Sequence, residues 1–445
     1  MPLSWSFSKH IPIRDIIVQI FREDVLYWQS NPIVVTMKCE KVLMLIFDGM
    51  PDRPVEELDF NTPLQVATKP ALDSIAGKGA SGTMDVIAPG VVPGSDTAHL
   101  ALFGYNPFDY YSGRGPFEAA GVGIDCRPGD VAFRCNFSTV DEKMRVVDRR
   151  AGRIKSGTAD LAKSITGIKF EGIEAIFKEA TEHRGVLVLR GEGLDPHVAD
   201  VDPHEQYALV QECRPLVPEA SLTARVVNHF VEESYKILMS NPVNLERASK
   251  GLPVANIVLP RGAGILRKLE PFQSRFGLRA SGIAGVSLLK GVFRVIGFES
   301  IEVAGATGGL DTNMSAKAMG ALKALDKADL VAVNVKAPDI AGHDGDFGGK
   351  VAIIERIDKM VAEIKKDLPE NVLLVALSDH STPVSLKNHS ADPVCIAMRG
   401  VGVRIDGVSK FDEISCASGI LNGMRGIELM PTILGVMGRA EKYGA

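Results

Sequence analysis

Three apolar runs of strand length, broken only by Asn334 in the second, constrain this chain more than any other feature, because each leads into an aspartate. Val42–Phe47 runs into Asp48, Leu330–Val335 into Lys-Ala-Pro-Asp339, and Val372–Leu377 into Ser-Asp379. Runs with no polar alternation suit strands buried on both faces, as in parallel sheets. Between the second and third runs, Val351, Ile354, Ile357, Val361 and Ile364 recur at helical spacing, which predicts a helix over 350–368 stopped by Pro369. A further helix is expected over 315–325. Strand, helix and strand in that order make a βαβ unit with a right-handed crossover, and the whole pattern predicts an α/β fold with an open parallel sheet. Ligands of such sheets bind beyond the carboxyl ends of the strands, so the three aspartates mark one rim as the site.

The chain has 445 residues, more than one ordinary domain holds. Residues 111–271 have a different texture, with Arg/Asp-rich turns such as Asp148–Arg153, a short strand over 185–189, and helices over 159–165 and 224–238. The expected organisation is therefore a discontinuous α/β domain, 37–110 and 272–445, interrupted by an inserted α+β domain over 111–271. Residues 1–36 stand apart as an N-terminal extension. Ile11–Trp28 reads there as a short amphipathic helix, and its charged residues exclude a secretory leader. The net charge is −5, without the basic excess of a nucleic-acid binder. No apolar run approaches the ~18 residues of a membrane span. Six cysteines form no Cys-x-x-Cys pair, which suits reduced thiols in the cytoplasm.

Histidines sharpen the rim. Asp339 and His343 are four residues apart, Asp379 and His380 are adjacent, and His389 follows in a loop. Taken singly, each strand-end aspartate is a turn former and each histidine a core or surface residue. Together they crowd carboxylates that would repel each other, and a divalent cation is the simplest compensation. Asp/His ligation suits Zn, Mn or Co, and Mg in part. So many ligands are too many for one ion with an open position and right for two, the usual clamp in phosphoryl chemistry. A nucleophile is supplied by the Gly/Pro loop at 89–95, which leads into a helix expected over 96–103. Ser95 is its expected N-cap, and the helix dipole and a nearby ion would lower its hydroxyl pKa.

The ordered set Asp48, Ser95, Asp339-x-x-x-His343, Asp379-His380 and His389 resembles the metal core of the alkaline phosphatase superfamily. Four longer segments are closer to one branch: Phe47-Asp-Gly-Met-Pro-Asp-Arg-Pro, Pro93-Gly-Ser-Asp-Thr-Ala-His, Gly113-Arg-Gly-Pro-Phe-Glu-Ala and Asn334-Val-Lys-Ala-Pro-Asp-Ile-Ala-Gly-His-Asp-Gly. They resemble the archaeal-type cofactor-independent phosphoglycerate mutases, from about Met37 to near the C-terminus. The resemblance implies an alkaline-phosphatase-like core with a parallel central sheet. It implies one ion on Asp339, His343 and His389, and a second on Asp48, Asp379, His380 and the Ser95 oxygen. It further implies an isomerase that interconverts 3- and 2-phosphoglycerate in glycolysis and gluconeogenesis through a phosphoserine at Ser95. The cofactors would be two divalent ions, with Mn, Co, Mg and Zn left open. The partner would be the small-molecule substrate, with homo-oligomerisation left open. Arg153, Arg190 and Arg261 of the Arg-rich insertion, with Lys290, are the expected substrate cations. The rival is another two-metal phosphoryl enzyme: a phosphatase, a phosphopentomutase or a phosphonate hydrolase. Cys126-Arg-Pro-Gly-Asp130 falls one residue short of a sulfatase pattern and lies in the expected insertion.

Overall fold

The computed structural model describes residues 38–442 and 444, so the helix expected within 1–36 lies outside the described residues. The three apolar runs are central strands of one eight-stranded sheet. Its spatial order is Glu299–Ser300, Ala280–Ile283, Leu330–Val335, Lys41–Phe47, Val372–Leu377, Val394–Arg399, Ala80–Asp85 and Met424–Arg425. Neighbours are parallel except around Val394–Arg399, which runs antiparallel to both strands beside it. The βαβ unit is present, but Lys41–Phe47 lies between its two strands. Phe47 stands opposite Val335 and Ile46 opposite Leu377, so Asp48, Lys336 and Ser378-Asp379 emerge together at one end.

Side-chain alternation explains why Val42–Phe47 is apolar throughout. Leu43, Leu45 and Phe47 face a core shared with the helices Pro70–Ala76, Met314–Ala324 and Phe347–Asp367. Val42, Met44 and Ile46 face the opposite core, shared with Ser95–Leu102, Ser287–Ile296 and Leu429–Val436. The long helix begins three residues before the sequence expectation because the Asp346 carboxylate caps it, accepting from the Gly349 N–H at 2.8 Å. In the same way Asn313 caps Met314–Ala324 by accepting from the Ala316 N–H.

A second, antiparallel sheet is built from residues 131–265. Its long strand, Val131–Val140, pairs on one edge with Arg184–Arg190, followed by Ile173–Glu179 and Ile168–Phe170. Ile257–Ile265 and Val146–Asp148 share the other edge. The helices Thr158–Ile165 and Ser221–Met239 contribute to the core on this sheet. Each is longer than the span expected from sequence. No helix among the described residues is long and apolar enough to cross a membrane.

Candidate active site

Asp48, Asp379 and His380 bring ligand atoms within 4.8 Å of one another, and so do Asp339, His380 and His389. His380 belongs to both groups. All four strand-end residues, Asp48, Asp339, Asp379 and His380, are at most 2% exposed. Asp339 lies on a helix, Ala337–Asp344, that follows its strand directly and that sequence periodicity does not reveal. His343, one turn further on, places Nε2 3.4 Å from Asp339 Oδ1, and His389 Nε2 lies 3.3 Å from the same oxygen. The grouping therefore differs from the expected one in that His380 stands between the two sets.

The imidazoles are oriented for ligation. His343 Nδ1 meets the Lys387 carbonyl at 2.9 Å, His389 Nδ1 meets the Pro93 carbonyl at 2.8 Å, and His380 Nδ1 meets Thr382 Oγ1 at 3.1 Å. The carbonyls can only accept, and Thr382 gives its own proton to Asp339 Oδ1 at 2.7 Å. Each Nδ1 is thus an N–H donor, which leaves Nε2 as the ring nitrogen that faces the carboxylates. Asp379 Oδ2 is buried without a hydrogen-bond partner among the described residues. Burial, then the charge on Asp48, pushes its carboxyl well above the usual carboxylate range. An orphaned carboxylate oxygen beside His380 Nε2, with the His343 and His389 Nε2 atoms gathered at Asp339, fits divalent cations.

Ser95 is not the N-cap. Gly94 holds that position, its N–H donating to Thr97 Oγ1 at 3.0 Å, and Ser95 is the first residue of the helix Ser95–Leu102. The serine hydroxyl is thereby released from capping and lies 3.3 Å from His380 Nε2, where the two ligand groups meet. His99, one turn on, is buried with Nδ1 2.7 Å from the Ser95 carbonyl. Burial lowers its pKa to about 4, so it is a neutral N–H donor fixing the helix start. Gly49, at φ +65°, follows Asp48 because a Cβ there would lie 2.4 Å from Thr382 Oγ1 and 2.8 Å from Asp339 Cβ.

Lys336 changes the picture of repelling carboxylates. Its ammonium lies 2.8 Å from Asp48 Oδ1 and 2.7 Å from Asp339 Oδ2. Burial opposes its charge, but Asp48, Asp339 and Asp379 outweigh this and raise its pKa above the usual lysine range. Burial likewise pushes Asp48 up, but Lys336 and His380 hold it down at about 2. Asn334 Nδ2 donates to Asp48 Oδ2 at 3.0 Å. Both Asn334 and Lys336 stand within the Asn334–Gly345 motif, although the sequence alone does not distinguish them as site residues. Their only signal was the Asn-x-Lys-x-x-Asp spacing.

Lys350 braces the rim from below. Fully buried, it donates to Asp52 Oδ2 at 2.7 Å and to the Thr382 carbonyl at 2.9 Å, joining the loops after Phe47 and Leu377. Lys350→Met is expected to destabilise the protein by about 3–5 kcal/mol, because Asp52 is left charged and buried. Urea unfolding measures this, and pairing it with Asp52→Asn should recover part of the loss. A single variant as stable as wild type would show that the pair is dispensable.

The expected substrate cations fall into two groups. Arg261 faces Arg134 directly across the pairing of Ile257–Ile265 with Val131–Val140. Like charges opposed on adjacent strands are destabilising unless an anion joins them. Arg134 Nε, Arg184 Nε, Arg261 Nε and His183 Nδ1 are buried without hydrogen-bond partners among the described residues, although Glu118 lies 3.8 Å from Arg134 Nε and Asp202 3.6 Å from Arg261 Nε. Burial, then crowding by Arg114 and Arg261, pushes Arg134 down to about 9. Burial, then Arg184, Arg150, Arg134 and Arg153, lowers His183 to about 4, which places exposed Arg153 at the margin of this group. Arg190 is instead paired with Asp130 at 2.7 Å, and Lys290 with Glu302 at 2.6 Å. Arg114, which the sequence does not distinguish as a site residue although it stands in the Gly113–Ala119 motif, links the cations to the nucleophile. It donates to Glu118 at 3.1 Å and senses Asp96, which follows Ser95 and accepts from the Tyr111 hydroxyl at 2.9 Å.

Comparisons with known proteins point one way. A family model for 2,3-bisphosphoglycerate-independent phosphoglycerate mutase matches residues 76–244. The relative from Methanocaldococcus jannaschii carrying that name, with the suffix 1, is 47% identical over 413 residues, covering 92% of this chain and 100% of that protein. One from Methanothermobacter thermautotrophicus is 47% identical over 412 residues, covering 91% of this chain and 100% of its own. Among solved structures, a Pyrococcus horikoshii protein matches with a TM-score of 0.80 at 35% identity, covering 92% of this chain and all of that one. The cofactor-independent phosphoglycerate mutase of Thermoplasma acidophilum matches with a TM-score of 0.67 at 34% identity, covering 90% of this chain and 100% of its own.

Proposed function

Because the chain belongs to the family of 2,3-bisphosphoglycerate-independent phosphoglycerate mutases, we propose that it interconverts 3- and 2-phosphoglycerate through a phosphoserine at Ser95. The observation that carries the reading is the Ser95 hydroxyl, uncapped at a helix start, 3.3 Å from the imidazole common to both ligand groups. Ser95 Oγ attacks the phosphorus and loses its proton. The substrate oxygen leaves with the bonding pair and takes a proton. The retained glycerate then turns, and its other hydroxyl attacks the phosphoserine and frees Ser95. Two divalent ions, on Asp339, His343 and His389 and on Asp48, Asp379, His380 and Ser95, would neutralise phosphoryl oxygens and lower the serine pKa. His380 stands within reach of both sets. Mn, Co, Mg and Zn all suit these donors.

In this reading residues 111–271 form the inserted substrate domain, with 37–110 and 272–445 as the phosphatase-like domain. Arg134, Arg184 and Arg261 grip the glycerate carboxylate and phosphate in bidentate fashion, with Arg153 at the margin. Arg190 and Lys290 reach substrate only by exchanging their present carboxylate partners. The six cysteines are unpaired, which suits a glycolytic and gluconeogenic enzyme of the cytoplasm. Incubating purified protein with 3-phosphoglycerate, without added bisphosphoglycerate, should give 2-phosphoglycerate. In Arg261→Ala the loss of a charge-assisted grip worth about 1.5–3 kcal/mol should let glycerate escape before retransfer. Mutase flux should then fall while release of inorganic phosphate persists or rises. An unchanged ratio of 2-phosphoglycerate to free phosphate would remove Arg261 from the substrate site, and phosphate as the sole product of the wild type would favour a phosphatase.

A further inference from the structure

We propose that Lys336 is a resident counter-ion of the metal rim, one that divalent ions must evict from Asp48 and Asp339 in order to bind. The inference rests on the two-metal reading of this site and adds to it a competitor built into the chain. Every oxygen of the two carboxylates is engaged. Asp48 Oδ2 takes the Asn334 amide at 3.0 Å and Oδ1 takes the Lys336 ammonium at 2.8 Å. Asp339 Oδ1 takes the Thr382 hydroxyl and Oδ2 takes Lys336, both at 2.7 Å. Asp379 Oδ2, by contrast, has no partner. One ammonium therefore spans the two ligand groups, with Asp48 in the first and Asp339 in the second.

An ammonium and a divalent ion on the same carboxylate oxygens repel each other at short range, where burial leaves the charges poorly screened. Lys336 is held by its own helix start, directly before Ala337–Asp344, and its side chain is 21% exposed, so it has an outward path when displaced. Leaving Asp48 also means leaving Asp339, so the first ion prepares the place of the second. The rim can thus stay assembled without metal, its carboxylates held at ion-pair distance, and can exchange one form of neutralisation for another.

The test compares wild type, Lys336→Met and Lys336→Arg, each stripped of metal and titrated with Mn by calorimetry, with melting followed in the presence and absence of Mn. Lys336→Met should bind Mn about tenfold more tightly, the size of an ordinary coupling between two binding events. Its melting temperature should fall below wild type without metal and approach wild type once loaded. Lys336→Arg, which keeps the charge, should stay close to wild type in both respects. A Met variant that folds only with Mn present meets the same expectation in a stronger form. Equal Mn affinity and equal metal-free melting in wild type and Lys336→Met would overturn the inference while leaving the metal site standing. A wild type that takes up no ion would overturn both.

Discussion

Replacing Ser95 by alanine is expected to abolish phosphoglycerate turnover and leave the fold intact. The two outcomes separate because the serine hydroxyl has no structural duty. Gly94 and Thr97 close the helix start, and the sole side-chain bond of Ser95 among the described residues is the 3.3 Å contact to His380. Losing one hydrogen bond of this kind costs about 1 kcal/mol. Losing the nucleophile of a covalent mechanism lowers kcat by on the order of 10⁴-fold or more. Circular dichroism and melting should therefore match wild type while the coupled assay is silent. Mass spectrometry after brief exposure to 3-phosphoglycerate should find phosphate on Ser95 in wild type and no phosphopeptide in the variant. Substantial mutase flux through a folded Ser95→Ala protein would move the nucleophile elsewhere.

How much of this was legible in the residues follows from what each level of structure depends on. The central strands were, because burial on both faces requires six consecutive apolar residues, and Val42–Phe47 or Val372–Leu377 has no other comfortable place. Aspartates at the ends of parallel strands then converge by topology alone. The insertion of Lys41–Phe47 between the other two strands was not legible, since pairing order is set by contacts hundreds of residues apart. Helix starts were misplaced by a residue or more wherever capping involved a neighbour. Ser95 looked like a cap, but Thr97 supplies the oxygen that the Gly94 N–H needs.

Polar pairing was the least legible part. Lys336 carries no periodic signal, and only the register of Phe47 with Val335 brings it between Asp48 and Asp339. Arg134 and Arg261 are far apart in the chain and become neighbours through strand register. Arg190 and Lys290 looked as available as Arg261, yet Asp130 and Glu302 hold them at 2.7 and 2.6 Å, whereas Asp202 lies 3.6 Å from the Arg261 Nε. A guanidinium in a turn announces its charge but not whether that charge is already answered. In the structure Arg134 and Arg261 have carboxylates only at 3.6–3.8 Å and keep a buried Nε without a hydrogen bond among the described residues, a property no sequence window contains.

Removing divalent metal is expected to silence the protein as completely as removing Ser95, but reversibly. Asp48, Asp339 and Asp379 bring three carboxyl groups to the one ammonium of Lys336, and the three imidazoles, tied down through Nδ1, turn Nε2 toward them. The rim is thus built to gain from added positive charge. Prolonged chelation should reduce turnover to background with the secondary structure retained, because Lys336, Asn334, Thr382 and Lys350 still hold the loops. Mn, Co or Mg should restore activity, and elemental analysis should find two ions per chain at saturation. The loaded protein should also unfold later. An ion at a hundred times its Kd, binding only the folded chain, adds about 2.7 kcal/mol of stability for each site. Asp379→Asn tests the ligand set directly, since it removes the one carboxylate with an oxygen left unpartnered. It should lower the ion content and shrink the stabilisation by added Mn, whereas a substitution at the paired surface residue Glu302 should change neither. Full activity in exhaustively chelated protein with no metal found would refute the two-ion reading, and Ser95 would then have to be activated by His380 alone.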